Sequence, residues 1–250
     1  MITIFPLAGI AEVRPGDDLA DILAGALERA GLRPAANDIL VVTQKIISKA
    51  ENRFRNLAEI SPGAEALRLA SVTAKDPRLV ELVLAESVSV IRAAPQVLIT
   101  RHRSGHVMAN AGIDRSNNGG DAELALLLPE DADASAAALA AGLRGRGLPA
   151  LAIVVSDSFG RPWRYGVVNV AIGAAGFPSL VDRRGEADRD GRRLEVTQIG
   201  LADMVAAAAG LAMGEGAEGI PAVLLRGFAY PAGAVPAAGL VRAVAEDLFR

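Results

Sequence analysis

The sequence predicts a mixed fold in which short buried strands alternate with amphipathic helices, and three observations carry that expectation. Leu151 to Val155 and Ile39 to Val42 are apolar, β-branched runs of strand length, and each leads straight into polar residues. Behind a capping Asp17 or Asp18, apolar residues recur at helical spacing at Leu19, Ile22, Leu23, Ala26 and Leu27; the Ala-rich run Leu201 to Met213 is a second helix. Between them lies a β-rich middle: Ser87 to Arg92, Val97 to His102 and His106 to Ala111 read as strands, turning at Ala93 to Gln96 and at Ser104-Gly105.

The 250 residues, 51% hydrophobic with 26 glycines, suffice for a sizeable core. No Gly/Ser linker or internal repeat divides them, so any two lobes pack together and one domain over 1–250 is expected. A formal net charge of -3 gives no footprint for nucleic acid. Met1 to Pro6 lacks the basic start and apolar run of a secretory signal, and Leu201 to Met213 is too short for a bilayer and carries Asp203. The expected protein is cytosolic, with no membrane partner. With no cysteine, disulfides and thiolate metal sites are excluded, which leaves oxygen ligands as the metal chemistry.

In chain order, Ile2 to Pro6 is a short strand, Gly9 to Arg14 a loop, and the first helix ends near Gly31. Asn37-Asp38 breaks the chain before the strand at Ile39. Ser61-Pro62 and Asp76-Pro77 each have the form of an N-cap followed by proline at the first helical position, so two helices follow, the second over Pro77 to Glu86 with Glu81 and Glu86 solvated. Leu124 to Pro129 leads to an acidic start at Glu130, Asp131 and Asp133 and to the helix Ala134 to Leu143. Ser156 to Gly160 is a polar turn, Val167 to Ile172 a strand ending in the small-residue turn Gly173 to Gly176, and Asp182 to Arg193 a long polar loop. Leu194 to Gln198 is one more strand, and Ala222 to Arg226 the last.

Three polar clusters and a Gly-rich turn carry the chemistry. After the strand at Ile39 come Gln44, Lys45, Lys49 and Arg53, three cations within nine residues that could serve phosphates or simply face solvent. In MANAGIDRSN, Gly112 permits a bend, Asp114 offers a hard oxygen ligand, and Arg115, Ser116 and Asn117 add donors. In SDSFGRPWRYG, Asp157 and Ser158 stand near the guanidiniums of Arg161 and Arg164, a mixture suited to a metal-phosphate complex or to an ordinary strand exit. In MGEGAEGIP, Gly214, Gly216 and Gly219 expose amides beside Glu215, though helix capping also explains them. His102 and His106, four apart on a strand and turn, have ordinary structural roles. Neither GxxxxGK[ST] nor GxGxxG at a strand-helix turn is present.

Taken in order, GDDLA at 16–20, TQKIISKAENR at 43–53, ANAGIDRSN at 109–117, SDSFGRPWRYG at 156–166, GRRLEVT at 191–197 and MGEGAEGIPAVLLRG at 213–227 resemble the coenzyme F-420 glutamate ligase family over about residues 4–228. The resemblance implies an α+β fold with mixed, largely antiparallel sheets, packed helices and two closely associated lobes, in a homodimer. It implies a GTP-dependent γ-glutamyl ligase that adds L-glutamate to coenzyme F-420-0 or F-420-1, with a divalent metal, Mg or Mn, and a monovalent cation, K, as candidate ions.

Carried over by motif, Asp114 and Asp157 are metal-binding catalytic residues, joined by Ser158, where many relatives have Thr, and by Glu215. Ile10, Ala11, Glu12, Val13, Gln44, Lys45, Lys49, Asn117, Met213, Gly214, Gly216 and Ile220 fall at GTP-contacting positions. The opening loop reads GIAEV where relatives often have a Leu-Pro pair, and Asn52 replaces a common Gly. The chain ends without the nitroreductase-like extension of some bacterial fusions, so ligation alone is expected. Arg161 and Arg164 are candidates for the acceptor's phosphodiester or glutamate's carboxylates, from guanidinium geometry rather than from the family.

The residue inventory suits that chemistry. A carboxylate is a poor electrophile, so the expected route phosphorylates it from GTP before glutamate's amine attacks, and metal and lysine charges stabilise the transferring phosphoryl group. Two other functions use the same residues. A metal-dependent phosphohydrolase or phosphotransferase would act without glutamate, and a GTP-binding regulator would bind without turnover.

Overall fold

The computed structural model describes residues 1–116 and 120–248. It is α+β, with mixed sheets, and its largest sheet sets β1 (Thr3–Pro6), β12 (Ala222–Arg226), β2 (Ile39–Thr43), β8 (Ala152–Arg161) and β9 (Arg164–Ala175) side by side in that order. β2 and β8 run parallel, while the other neighbours in this sheet are antiparallel. Side chains alternate along a strand, so Leu40 and Val42 face one side while Ile39 and Val41 face the other. Both sides are covered, which is why β2 reads as an unbroken apolar run.

One side packs against α1 (Leu19–Arg29), α2 (Gln44–Ala50) and α5 (Ala132–Gly145) through Leu23, Leu27, Ile47, Leu139 and Leu143. The other takes α6 (Leu201–Met213) through Val205, Ala206 and Ala209. Each fully buried leucine there contributes about 2 kcal/mol of transfer free energy. Asp18 caps α1 by accepting from Asp21 N–H, and Asp131 caps α5 by accepting from Ala134 N–H. Asp133, in the first turn of α5, accepts from the N–H groups of Ala174, Ala237 and Ala238 and so ties β9 and the C-terminal segment together.

A second core forms around α3 (Ala64–Thr73) and α4 (Pro77–Ala85) with Leu57, Leu69, Val80, Val83, Leu98 and Leu127. It rests against β3 (Phe54–Asn56) paired with β7 (Leu124–Leu126), and against the sheet β4 (Ser87–Ala94), β5 (Val97–His102) and β6 (Val107–Ala109). β10 (Leu180–Asp182) and β11 (Gln198–Gly200) form a ribbon flanking the polar loop. Among the described residues no helix is long and apolar enough to cross a membrane.

Several sequence expectations need correction. No turn follows Val155: β8 continues through Asp157 and Ser158 to Arg161, because β9 pairs with it residue by residue as far as Arg164 and satisfies its backbone. The turn comes at Pro162 and Trp163, the latter at φ 57°. β9 likewise runs past Gly173, where a Cβ would collide with the Ala132 carbonyl and the strand must therefore be bare. Gly63, rather than Ser61, is the N-cap of α3, its N–H bound to Glu81 Oε2 at 2.7 Å. Leu194 to Gln198 is not a strand, since Leu194 N–H turns back to the Glu186 carbonyl at 2.8 Å and pairing resumes only at Gln198.

Glu86 is buried, not solvated. Arg53 and Arg103 pair with it at 3.2 and 3.0 Å and His102 Nε2 lies 3.6 Å away. Burial alone would raise its carboxyl; His102 and the guanidiniums of Arg103 and Arg53 together outweigh burial and hold it below the usual range.

Candidate functional site

The parallel strands β2 and β8 are in register from Ile39 opposite Ala152 to Thr43 opposite Ser156. Past Thr43 the chain turns at once into α2, which presents Gln44, Lys45 and, one turn on, Lys49; past Ser156 the strand presents Asp157 and Ser158. The register with β9 slips between Val155 and Ser156, and such a slip re-aims the side chains that follow it. α6 ends nearby, with Met213 Sδ 3.9 Å from Ser156 Oγ, and releases the Gly-rich turn. From the second core comes the tight bend Asn110–Gly112, whose three residues all have positive φ, carrying Asp114 and Ser116 behind it.

These elements enclose a cavity of about 700 Å³. Its wall includes Ile10, Ala11, Glu12 and Val13; Gln44, Lys45 and Lys49; Asp114, Asp157 and Ser158; and Met213, Gly214, Glu215, Gly216 and Ile220. Asn117 lies outside the described residues. Arg161 and Arg164 are not in the wall but at the far end of the β8–β9 hairpin, where Arg161 donates to the Tyr165 carbonyl at 3.2 Å. Thr43, at the head of the motif TQKIISKAENR, and Glu218, within the segment 213–220, also line the cavity, and so does Asn169, which was unforeseen. Asn169 had a signal, as the single polar residue in the run VVNVAI, and Glu218 belongs to the same Gly-rich turn as Glu215.

Five carboxylates (Glu12, Asp114, Asp157, Glu215, Glu218) share the wall with two ammonium groups (Lys45, Lys49), and both ammonium groups are paired, Lys45 with Asp114 and Lys49 with Glu12. Burial pushes the Asp157 carboxyl up to about 7, against the pull of the Ser158 N–H and Lys45, with repulsion from Asp114 and Glu215 adding to the push. Asp114 is buried enough to be raised as well, yet Lys45 and the Ser116 N–H hold it below the usual range. Gln44 is fixed by Ser48, whose hydroxyl donates to Gln44 Oε1 at 2.9 Å.

Hard oxygen donors of this kind suit Mg or Mn. Among the described residues no three carboxylate or histidine groups converge closely enough to cage a metal alone. A magnesium-type site does not require that, since it uses one or two carboxylates and takes its other ligands from water and substrate phosphates. Asp157, raised toward neutrality by burial with its acidic neighbours adding to the push, marks where positive charge is short, and the donor set fits a divalent ion.

Fold and cavity together describe an α+β protein with a recessed, charged site sized for small molecules. A family model described as F420-0:Gamma-glutamyl ligase matches residues 9–227, and the chain belongs to that family. It is 43% identical over 253 residues to the coenzyme F420:L-glutamate ligase of Methanothermobacter thermautotrophicus, with 100% of this chain and 99% of that protein covered. The protein of the same name from Methanopyrus kandleri is 42% identical, covering 100% and 98%. That from Halobacterium salinarum is 46% identical over 232 residues, covering 90% of this chain and 87% of its own.

Proposed function

We propose that this chain is a GTP-dependent ligase that joins L-glutamate to coenzyme F-420-0, extending the tail through γ-linked amides, by way of an acyl phosphate. The observation that carries the reading is the surplus of carboxylates in a cavity that also holds lysines and a Gly-rich turn. Such a cavity repels a bare triphosphate and accepts one accompanied by divalent cations. Family membership and the relatives' names support the acceptor and the amino acid.

In this reading Asp114, Asp157 and Ser158 hold a divalent ion, Mg or Mn, with Glu215 and a monovalent ion such as K beside it. When bound, the ion neutralises charge on the triphosphate and leaves the γ-phosphorus open to attack. Lys45 and Lys49 add positive charge, while the loop at 10–13, Gln44 and the turn at 213–220 enclose the nucleotide. Asn117 is a further nucleotide contact by motif. The acceptor's carboxylate oxygen attacks the γ-phosphorus and GDP leaves. Glutamate's amine then attacks the acyl carbon, phosphate departs and the amine loses a proton. No protein nucleophile is needed, and the walls serve to position reactants and exclude water.

Arg161, whose buried Nε has no hydrogen-bond partner among the described residues, and Arg164 are our candidates for acceptor binding from the hairpin. We extend the reading to a cytoplasmic homodimer, with Trp163 (83% exposed) and Tyr165 (103%) at the hairpin tip supplying apolar surface for a second copy. Light scattering on the eluted protein tests this.

The deciding experiment incubates protein with F-420-0, GTP, Mn and glutamate and weighs the deazaflavin. Gain of glutamyl units with stoichiometric GDP and phosphate is expected. Phosphate release with an unchanged deazaflavin would make the protein a phosphohydrolase, and GTP binding without turnover a regulator.

A further inference from the structure

The acidic floor of the cavity holds a cation of its own. Lys45 Nζ pairs with Asp114 Oδ2 and donates to Ser116 Oγ at 2.9 Å, while the Ser116 N–H donates to Asp114 Oδ1 at 2.7 Å. The ammonium is therefore lodged on the carboxylate that a divalent ion would use, with the Asp157 carboxyl close enough to feel its charge. The pair is partly buried but still reachable, since the side chains of Lys45 and Asp114 keep 30% and 20% of their surface exposed toward the cavity. Lys49 is different: only 6% exposed, it pairs with Glu12 of the loop at 10–13.

An ammonium and a divalent ion cannot share one carboxylate without strong repulsion. A metal arriving at Asp114 must displace Lys45. The displaced ammonium stays tethered to α2 at the cavity wall, where a nucleotide phosphate is its natural new partner. We propose that Lys45 is an exchangeable counter-ion, neutralising Asp114 until a divalent ion takes that carboxylate and then turning to phosphate, so that metal and nucleotide each strengthen the other's binding. This rests on reading the cavity as a metal-nucleotide site, and goes beyond it by assigning Lys45 a role before nucleotide arrives.

The test titrates Mn²⁺ alone into full-length, nucleotide-free protein and follows free Mn²⁺ by electron paramagnetic resonance. Lys45→Met should bind Mn²⁺ about 5-fold or more tightly than the unmodified protein, and Lys49→Met should stay within about 2-fold of it, because only the first removes a direct competitor for the ligand. Lys45→Gln, checked for folding by circular dichroism, should repeat the result. Unchanged or weaker Mn²⁺ binding in both Lys45 variants would overturn the exchange, as would equal tightening by Lys49→Met, which would reduce it to a general field effect. Asp114→Asn separates the two levels of the reading. If it leaves Mn²⁺ binding untouched, or if no variant binds Mn²⁺, the metal site itself is misplaced and the exchange falls with it; if it abolishes binding while Lys45→Met changes nothing, only the exchange fails.

Discussion

Asp157 has a carboxyl that ionises near 7 in the folded chain against an ordinary value of 3.8. The folded state thus binds a proton more tightly than the unfolded state, so this group's contribution to stability is full below about pH 4 and is lost as pH rises through 7. For metal-free protein the effect is at most about 4 kcal/mol. Urea midpoints at pH 5 and pH 8 should therefore differ more in the unmodified protein than in Asp157→Asn, where the ionisation is gone; equal differences would place the raised carboxyl elsewhere. A divalent ion competes with that proton, so metal affinity should climb over the same interval. In the proposed ligase, Asp157→Asn lowers turnover by roughly 100-fold or more with the fold retained, measured as glutamyl addition by mass.

At the scale of elements, α6 and β9 meet at Gly210, where a Cβ would run into the Asn169 side-chain amide. Alanine for glycine inside a helix ordinarily stabilises by about 0.5–1 kcal/mol. Here the new methyl has to push Asn169 off the cavity wall. Gly210→Ala should therefore melt within a few degrees of the unmodified chain and yet lose turnover by about 10-fold, matching Asn169→Ala, and the double variant should be no worse than either single one. Additive losses would show that Gly210 acts through something else. The same strands show what the sequence could and could not disclose. α1, β2, α6 and β12 are legible because their apolar period matches their burial on known sides of a sheet. β8 was legible only to Val155, since beyond it the polar residues that face the cavity have the composition of a turn, and only pairing with β9 distinguishes the two. Every described metal and nucleotide candidate named by motif lines one cavity, but Asn169 does so through its register opposite Ser158, which spacing along one strand does not encode.

For the whole molecule, Glu86 joins regions distant in sequence. At the end of α4 it binds Arg53, which follows α2 and itself donates to the Leu128 carbonyl at 2.8 Å, and also Arg103 beyond β5. Removing one partner of a buried pair leaves the other uncompensated, and Glu86→Ala should cost about 3 kcal/mol in a urea titration. The depressed carboxyl sets the sign with pH: its stabilisation is present above the ordinary glutamate range and disappears as pH falls through the lower folded value, so the deficit of the variant should shrink in acid.

The cavity bridges the same two cores, taking Asp114 and Ser116 from one and Gln44, Lys45, Asp157 and Met213 from the other. A ligand that spans it therefore stabilises both against separation, by RT ln(1 + [L]/Kd). Its binding should also be cooperative, because a net-acidic wall admits a nucleotide only with cations. Mn²⁺ at one hundred times its dissociation constant, with saturating GDP, should add about 2.7 kcal/mol or more. GDP in the presence of a chelator should shift the melting temperature little. An equal shift from GDP with and without chelator would mean that the lysines alone carry the phosphates, and the five carboxylates of the wall would then need a different ligand.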